Sequence, residues 1–143
     1  MAIDQNILIT VDTIVFSKGK ERYLLLIQRK NDPFKGQWAF PGGFVEDDED
    51  LPNAAAREVK EETGLILQAD DLKQLGAWGN PGRDPRGRTV TIVYVAEINM
   101  DEQEIAADDD ADDVQWWPLD NLPEIAFDHL DILRSSLERQ KGM

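Results

Sequence analysis

The stretch GFVEDDEDLPNAAAREVKEETGL, Gly43–Leu65, contains a helix, both of its ends and a dense group of carboxylates. Asp50 is suited to cap an N-terminus, Pro52 is tolerated in a first turn, and Gly64 is placed to stop the helix, so Leu51–Thr63 is predicted helical. At about 100° per residue, Ala55, Ala56, Val59 and Thr63 share one side, which is expected to pack on a sheet. Glu58, Glu61 and Glu62 stand at i, i+3 and i+4, so three like charges converge on another face, while Lys60 points away. The acids alone leave two readings, a solvated helix face or a hard-cation site, since carboxylate oxygens suit Mg²⁺ or Mn²⁺.

Outward from this helix, strands are expected at Ile7–Phe16 and Tyr23–Ile27, joined by the turn Ser17-Lys18-Gly19-Lys20 and paired near the centre of a sheet. Gln37–Val45 is a short extended piece interrupted by Pro41-Gly42-Gly43, where the glycines permit a tight turn or close approach. Further strands are expected at Leu72–Trp78, Thr89–Ile98 and Val114–Trp117. A last helix, Asp128–Arg139, carries Leu130, Leu133 and Leu137 at helical spacing after an Asp128 cap. Strands mixed with two helices in this order indicate an α/β or α+β layered fold. The 143 residues suit a single domain spanning 1–143, with no internal repeat and no linker.

A formal charge of −14 disfavours nucleic acid backbones and anionic membranes as partners. Two acidic runs, Glu46–Asp50 and Asp101–Asp113, supply nearly all of the excess. With no Cys there is no disulfide framework or thiolate chemistry, which suits a reducing cytoplasm. No window approaches a membrane span, and Met1–Thr10 lacks the features of an export signal, so a soluble cytoplasmic protein is expected.

The order Gly43, five residues, Glu49, seven residues, Arg57-Glu58-Val59-Lys60-Glu61-Glu62-Thr63-Gly64-Leu65 resembles the signature of the Nudix hydrolases at every fixed position. Thr10–Phe16, Leu24–Lys30 and Gly36–Glu46 resemble the strands and entry loop of that family, so the likeness covers most of the chain. It implies an α/β/α sandwich with a mixed sheet, and Mg²⁺-dependent hydrolysis of a nucleoside diphosphate linked to another moiety. On this resemblance Glu58, Glu61 and Glu62 would hold the metal, with the Gly42 carbonyl as an addition, while Arg57 and Glu49 would orient helix and loop. A general base would come from Asp109, Asp110 or Asp113, in the acidic run before the last strand. A homodimer is compatible with the resemblance.

Pro81 lies 16 residues beyond Leu65, a spacing that resembles the ADP-ribose pyrophosphatases within the family. The run Arg83-Asp84-Pro85-Arg86-Gly87 resembles their loop, and also that of the Nudix-related regulators of NAD metabolism. Arg83 or Arg86 could hold a pyrophosphate or ribose, because guanidinium forks match phosphate oxygens; the alternative is that they pair with nearby acids. Trp38, Phe40 and Trp78 offer stacking surfaces for adenine, against the alternative of ordinary core packing. The expected reaction converts ADP-ribose, or a close nucleoside diphosphate sugar, to AMP and ribose 5-phosphate. The rivals are a house-cleaning hydrolase of nucleoside triphosphates and a non-catalytic ADP-ribose sensor. Such sensors generally append a DNA-binding domain, for which the 26 residues after Trp117 are too few. His129 is expected to be an ordinary first-turn residue.

Overall fold

In the computed structural model, residues 4–107 and 111–141 are described. The elements, in order, are β1 (Leu8–Ser17), β2 (Tyr23–Arg29), β3 (Trp38–Ala39), β4 (Gly42–Phe44), α1 (Leu51–Thr63), a 3₁₀ turn at Ala69–Asp71, β5 (Lys73–Trp78), β6 (Thr89–Ile98), β7 (Ala111–Pro118) and α2 (His129–Lys141). The strand before Pro118 is longer than its apolar core suggested, because it runs beside almost the whole of β2.

The sheet is mixed. β1 and β6 run parallel over ten residue pairs, and the other pairings are antiparallel. Alternate residues of the central strands enter two cores. Val11, Val15, Leu25 and Ile27 face the core that contains Ala54, Ala55 and Val59 of α1. Ile14, Phe16, Leu24 and Leu26 face the one that contains Ile132 and Leu133 of α2. Burial on both faces explains why β1 and β2 read as nearly unbroken apolar runs. The result is the expected three-layer α/β/α arrangement.

β1 and β2 stay paired only near their turn, at Phe16 and Leu24. Farther along, β1 pairs with β4 through Thr10, Val11 and Asp12, while β2 pairs with β3 through Ile27 and Gln28. The two strands therefore diverge into a fork, and residues 38–44 fill the opening. On α1 the buried positions are Ala54, Ala55, Val59, Glu62 and Thr63, with Ala56 only half-buried. This stripe is rotated from the expected one and takes Glu62 under cover.

Leu133 is fully buried beneath the sheet face remote from α1. Leu133→Ala should lower unfolding free energy by about 2–5 kcal/mol in a urea titration, with little change in the denaturant slope.

Candidate active site

The α1 helix forms where expected because its ends are locally determined. The Asp50 carboxylate accepts from the Leu51 N–H at 2.9 Å, and Gly64 adopts φ 80° at the C-terminus. One turn of helix separates Glu58 from Glu62, which places both carboxylates beside Pro41-Gly42-Gly43. The Gly42 N–H donates to Glu62 Oε1 at 2.8 Å. A Cβ on Gly43 would stand 2.7 Å from the Glu58 carboxylate, and one on Gly42 would collide with the Asp12 side chain and the Val11 carbonyl. Both glycines are thus required for close approach, and neither adopts a positive φ.

Arg57 ties the site together. Its Nε and Nη2 donate to the two Glu49 oxygens, each at 2.7 Å; Nη1 donates to Glu58 at 2.8 Å and Glu61 at 3.1 Å, and Nη2 also reaches the Phe44 carbonyl. This fork joins the acidic loop, strand β4 and helix α1. Hydrogen bonding to Arg57 holds the Glu49 carboxyl down at about 2. Glu58 is pushed up by burial, and Glu62, only 6% exposed, is pushed well up by burial and by the nearby Glu58 and Asp12 charges. Without a cation, proton sharing between the two carboxylates relieves that repulsion.

Glu61 does not join this pair: its side chain is 48% exposed and turned to Arg57. Among the described residues no three acidic or histidine side chains meet in metal-ligand geometry. Glu58 and Glu62 are the two that face each other, and their donor set is entirely oxygen, which fits a hard divalent ion. At Gly42, the structure shows the N–H engaged with Glu62.

A cavity of about 410 Å³ opens in the fork between β1 and β2, within the size range of small-molecule sites. Asp12, Glu58 and Glu62 line it together with Arg29, Arg83 and Arg86. Both loop arginines carry their own acids. Arg83, 5% exposed, forks onto Asp128 at 2.7 and 3.0 Å, and Arg86 forks onto Asp84. Asp128 stands immediately before α2, where its carbonyl accepts from the Ile132 N–H at 3.0 Å, and its side chain is the partner of Arg83.

The expected stacking residues are placed differently. Trp38 is buried in the α2-side core, edge-on to Trp117 at 5.1 Å, because β3 pairing turns it away from the cavity. Trp78 packs against the same core with Arg139 over its ring, and Pro81 is exposed; neither lines the cavity. Phe40 does line it, but its ring is stacked on His129 at 4.5 Å. Asp113 does not line the cavity and accepts from the Val114 N–H at 2.8 Å. Asp109 and Asp110 lie outside the described residues.

The cavity is also lined by Asp12, Arg29, Phe127 and His129, which sequence reasoning did not mark as site residues. Asp12 accepts from the Thr91 hydroxyl at 2.6 Å and lies 3.7 Å from His129 Nε2. The Phe40 N–H donates to His129 Nδ1, and burial holds the imidazole pKa down, so it is neutral with its proton on Nε2 towards Asp12. The available signal for Asp12 was a lone acid within an apolar strand.

A model of the NUDIX domain matches residues 7–136. The chain belongs to the Nudix family. It is 43% identical, over 134 residues, to the ADP-ribose pyrophosphatase of Methanocaldococcus jannaschii, covering 94% of this chain and 75% of that protein. It is 40% identical to the ADPR responsive transcriptional repressor NtrR of Acinetobacter baylyi, over 92% of this chain and 54% of the repressor. Among solved structures, the NUDIX domain of Shewanella oneidensis NrtR complexed with ADP ribose superposes with a TM-score of 0.86 at 35% identity, covering 96% of this chain and 90% of that one. These likenesses place this Nudix chain in the ADP-ribose pyrophosphatase-like branch, and no helix among its described residues is long and apolar enough to cross a membrane.

The depressed Glu49 pKa fixes the sign of an acid response. Ionised Glu49 stabilises the fold above its ordinary pKa of 4.5, and that contribution is lost as pH falls towards about 2. Thermal melts over this range should show a shallower acid loss for Glu49→Gln than for the parent, with the variant melting lower at neutral pH.

Proposed function

We propose that this Nudix hydrolase cleaves the pyrophosphate bond of ADP-ribose, or of a close nucleoside diphosphate sugar, to give AMP and ribose 5-phosphate. The observation that carries the reading is the meeting of two carboxylates, half-buried Glu58 and buried Glu62, with four arginines, Arg29, Arg57, Arg83 and Arg86, in one cavity. A diphosphate needs both, cationic groups around its oxygens and acids that can hold a divalent ion against it. The 43% identity to an ADP-ribose pyrophosphatase supports the choice of substrate.

Glu58 and Glu62 would hold Mg²⁺, for which Mn²⁺ could substitute, and Glu61 would have to leave Arg57 to join them. When bound, such an ion supplies charge neutralisation at the phosphates and acidifies water. The chain's own residues set the geometry. Arg57 anchors α1 to the Glu49 loop, the Gly42 N–H orients Glu62, and the cavity arginines hold the diphosphate so that water meets one phosphorus as the bridging P–O bond breaks. The Arg83–Asp128 and Arg86–Asp84 pairs keep those guanidinium forks in fixed positions before substrate arrives.

A second reading, an ADP-ribose-sensing module, draws support from the 40% identity to NtrR and from the likeness to the NrtR domain complexed with ADP ribose. Turnover separates the two. A product assay in Mg²⁺ with ADP-ribose, nucleoside triphosphates and dinucleotides should release AMP and ribose 5-phosphate fastest from ADP-ribose. Glu62→Gln retains an acceptor for the Gly42 N–H, so it should fold normally yet lose more than the roughly 10–100-fold typical of residues that merely support a metal ligand. Tight ADP-ribose binding without turnover would instead establish a sensor, and preferred release of pyrophosphate from a triphosphate would overturn the substrate assignment.

A further inference from the structure

His129, the first residue of α2, lines the cavity although only 3% of it is exposed. Its ring stacks on Phe40 with 9° between the planes, and the Phe127 ring lies against it at 5.4 Å. Nδ1 accepts the Phe40 N–H at 3.1 Å, so that nitrogen carries no proton. Nε2 faces Asp12 Oδ2 across 3.7 Å, and the same oxygen accepts from the Thr91 hydroxyl. The neutral ring therefore commits its one acceptor to main chain and turns its one donor towards the floor of the cavity.

The main chain it holds leads directly to Glu62. Phe40 is 2% exposed, and a buried N–H needs an acceptor. One residue on, the Pro41 carbonyl accepts from the Thr13 N–H of β1 at 3.0 Å, and at the next the Gly42 N–H donates to Glu62 Oε1 at 2.8 Å. Pro41 has a fixed φ, so residues 40–42 form a short, stiff link. One end of the link is bonded to His129 and the other to Glu62. Gly42 itself has no room for a Cβ against Asp12, the acid that His129 faces. The turn before α2 also reaches the arginine end of the cavity. Ala126 donates its N–H to the Trp38 carbonyl at 2.8 Å, and Asp128 forks onto Arg83. Between them Phe127 adopts φ 56°, which a bulky residue keeps only where its surroundings enforce it.

From this geometry we infer that His129 is a positioning residue of the carboxylate site. Its Nδ1 acceptor fixes residues 40–42, and the Gly42 N–H in turn fixes the orientation in which Glu62 would meet a divalent ion. The inference rests on the hydrolase reading of the cavity and adds the group that sets the backbone beneath its acids. A residue that merely filled the core would need the size of the ring and not its acceptor, so the two requirements can be separated by experiment.

Histidine occurs once in the sequence, so a nitrogen NMR spectrum of the imidazole in the full chain reports His129 alone. Without metal at neutral pH it should show a bare Nδ1 and a protonated Nε2. A proton on Nδ1, or averaging between tautomers, would overturn the inference whatever the variants do. Two amide replacements then divide the roles of the ring. His129→Gln can reach the Nε2 position but leaves the Phe40 N–H without its acceptor. It should lower kcat for ADP-ribose about 10- to 100-fold with KM little changed, and weaken the binding of Mn²⁺, titrated alone, by a similar factor. His129→Asn restores an oxygen acceptor near the Nδ1 position and should recover most of both losses. A role in core packing alone would instead lower activity in both variants in step with their melting temperatures. That pattern would overturn the inference, as would parental kcat and Mn²⁺ affinity in a folded His129→Gln, or a parent that binds no Mn²⁺. Should the Gln variant fail to fold, a folded His129→Asn with Mn²⁺ affinity reduced about tenfold or more would overturn it equally. A parent whose Mn²⁺ affinity depends on His129 but which leaves ADP-ribose intact would remove the hydrolase reading and keep the positioning role. ADP-ribose turnover untouched by His129→Gln would do the reverse.

Discussion

The site depends on burying the Glu62 carboxylate against main chain. An ionised carboxylate shielded from water needs a donor or a countercharge, and Glu62 receives the Gly42 N–H at 2.8 Å. That bond exists because α1 lies directly on β4, an approach that the missing side chain of Gly43 permits, while Gly42 has no room for one against β1. The same approach brings Glu58 against Gly43. Two successive glycines, Gly42 packed against β1 and Gly43 against α1, therefore let β4 lie close to both and place the two carboxylates at the floor of the cavity.

Arg57 resolves the electrostatic problem that this packing creates. The acids of α1 and the Glu49 loop would repel one another, and a single guanidinium bonded to three of them joins the loop to the helix. It makes no bond to Glu62, whose carboxyl is raised by burial and by the Glu58 and Asp12 charges, while that of Glu58 is raised by burial and by the Glu61 charge. A structural ion-pair network would have neutralised that pair. An oxygen-only pair whose buried member, Glu62, has no ion-pair partner among the described residues is one that a hard divalent ion would satisfy.

What could be read in the sequence is what short-range chemistry dictates. The bounds of α1 follow from Asp50, Pro52 and Gly64, all within or beside the helix. The two-faced strands followed from unbroken apolar runs. The inner and outer sides of α1 were harder, since a rotation of one position exchanges Ala54 for Ala56 and decides whether Glu62 is covered. Trp38 could not be assigned to core or cavity because β3 is two residues long, and its facing is decided by pairing with β2. The partners of Arg83 and Asp12 lie 45 and 79 residues away, at Asp128 and Thr91. No local pattern encodes such pairs; they follow from the parallel run of β1 beside β6 and from the docking of α2.

The division of labour within the cavity also bears on how one fold can serve hydrolysis and sensing. Arginines that grip a diphosphate hold it much alike before and during bond cleavage, and such uniform binding gives affinity without rate. Acceleration requires groups whose interaction strengthens as charge moves onto the leaving oxygen, and in this cavity the carboxylate pair would recruit a cation to do that. A sensor can therefore retain the arginine and aromatic part and let the acids drift, whereas a hydrolase must keep both. This chain retains the close glycine approach, the buried pair and the Arg57 strap. The carboxylate pair crowds like charges in the unliganded cavity, Arg57 offsets this at Glu58 but makes no bond to Glu62, and the pair contributes nothing to gripping an anion. Their presence together is explained by a reaction, because binding alone would be better served without them.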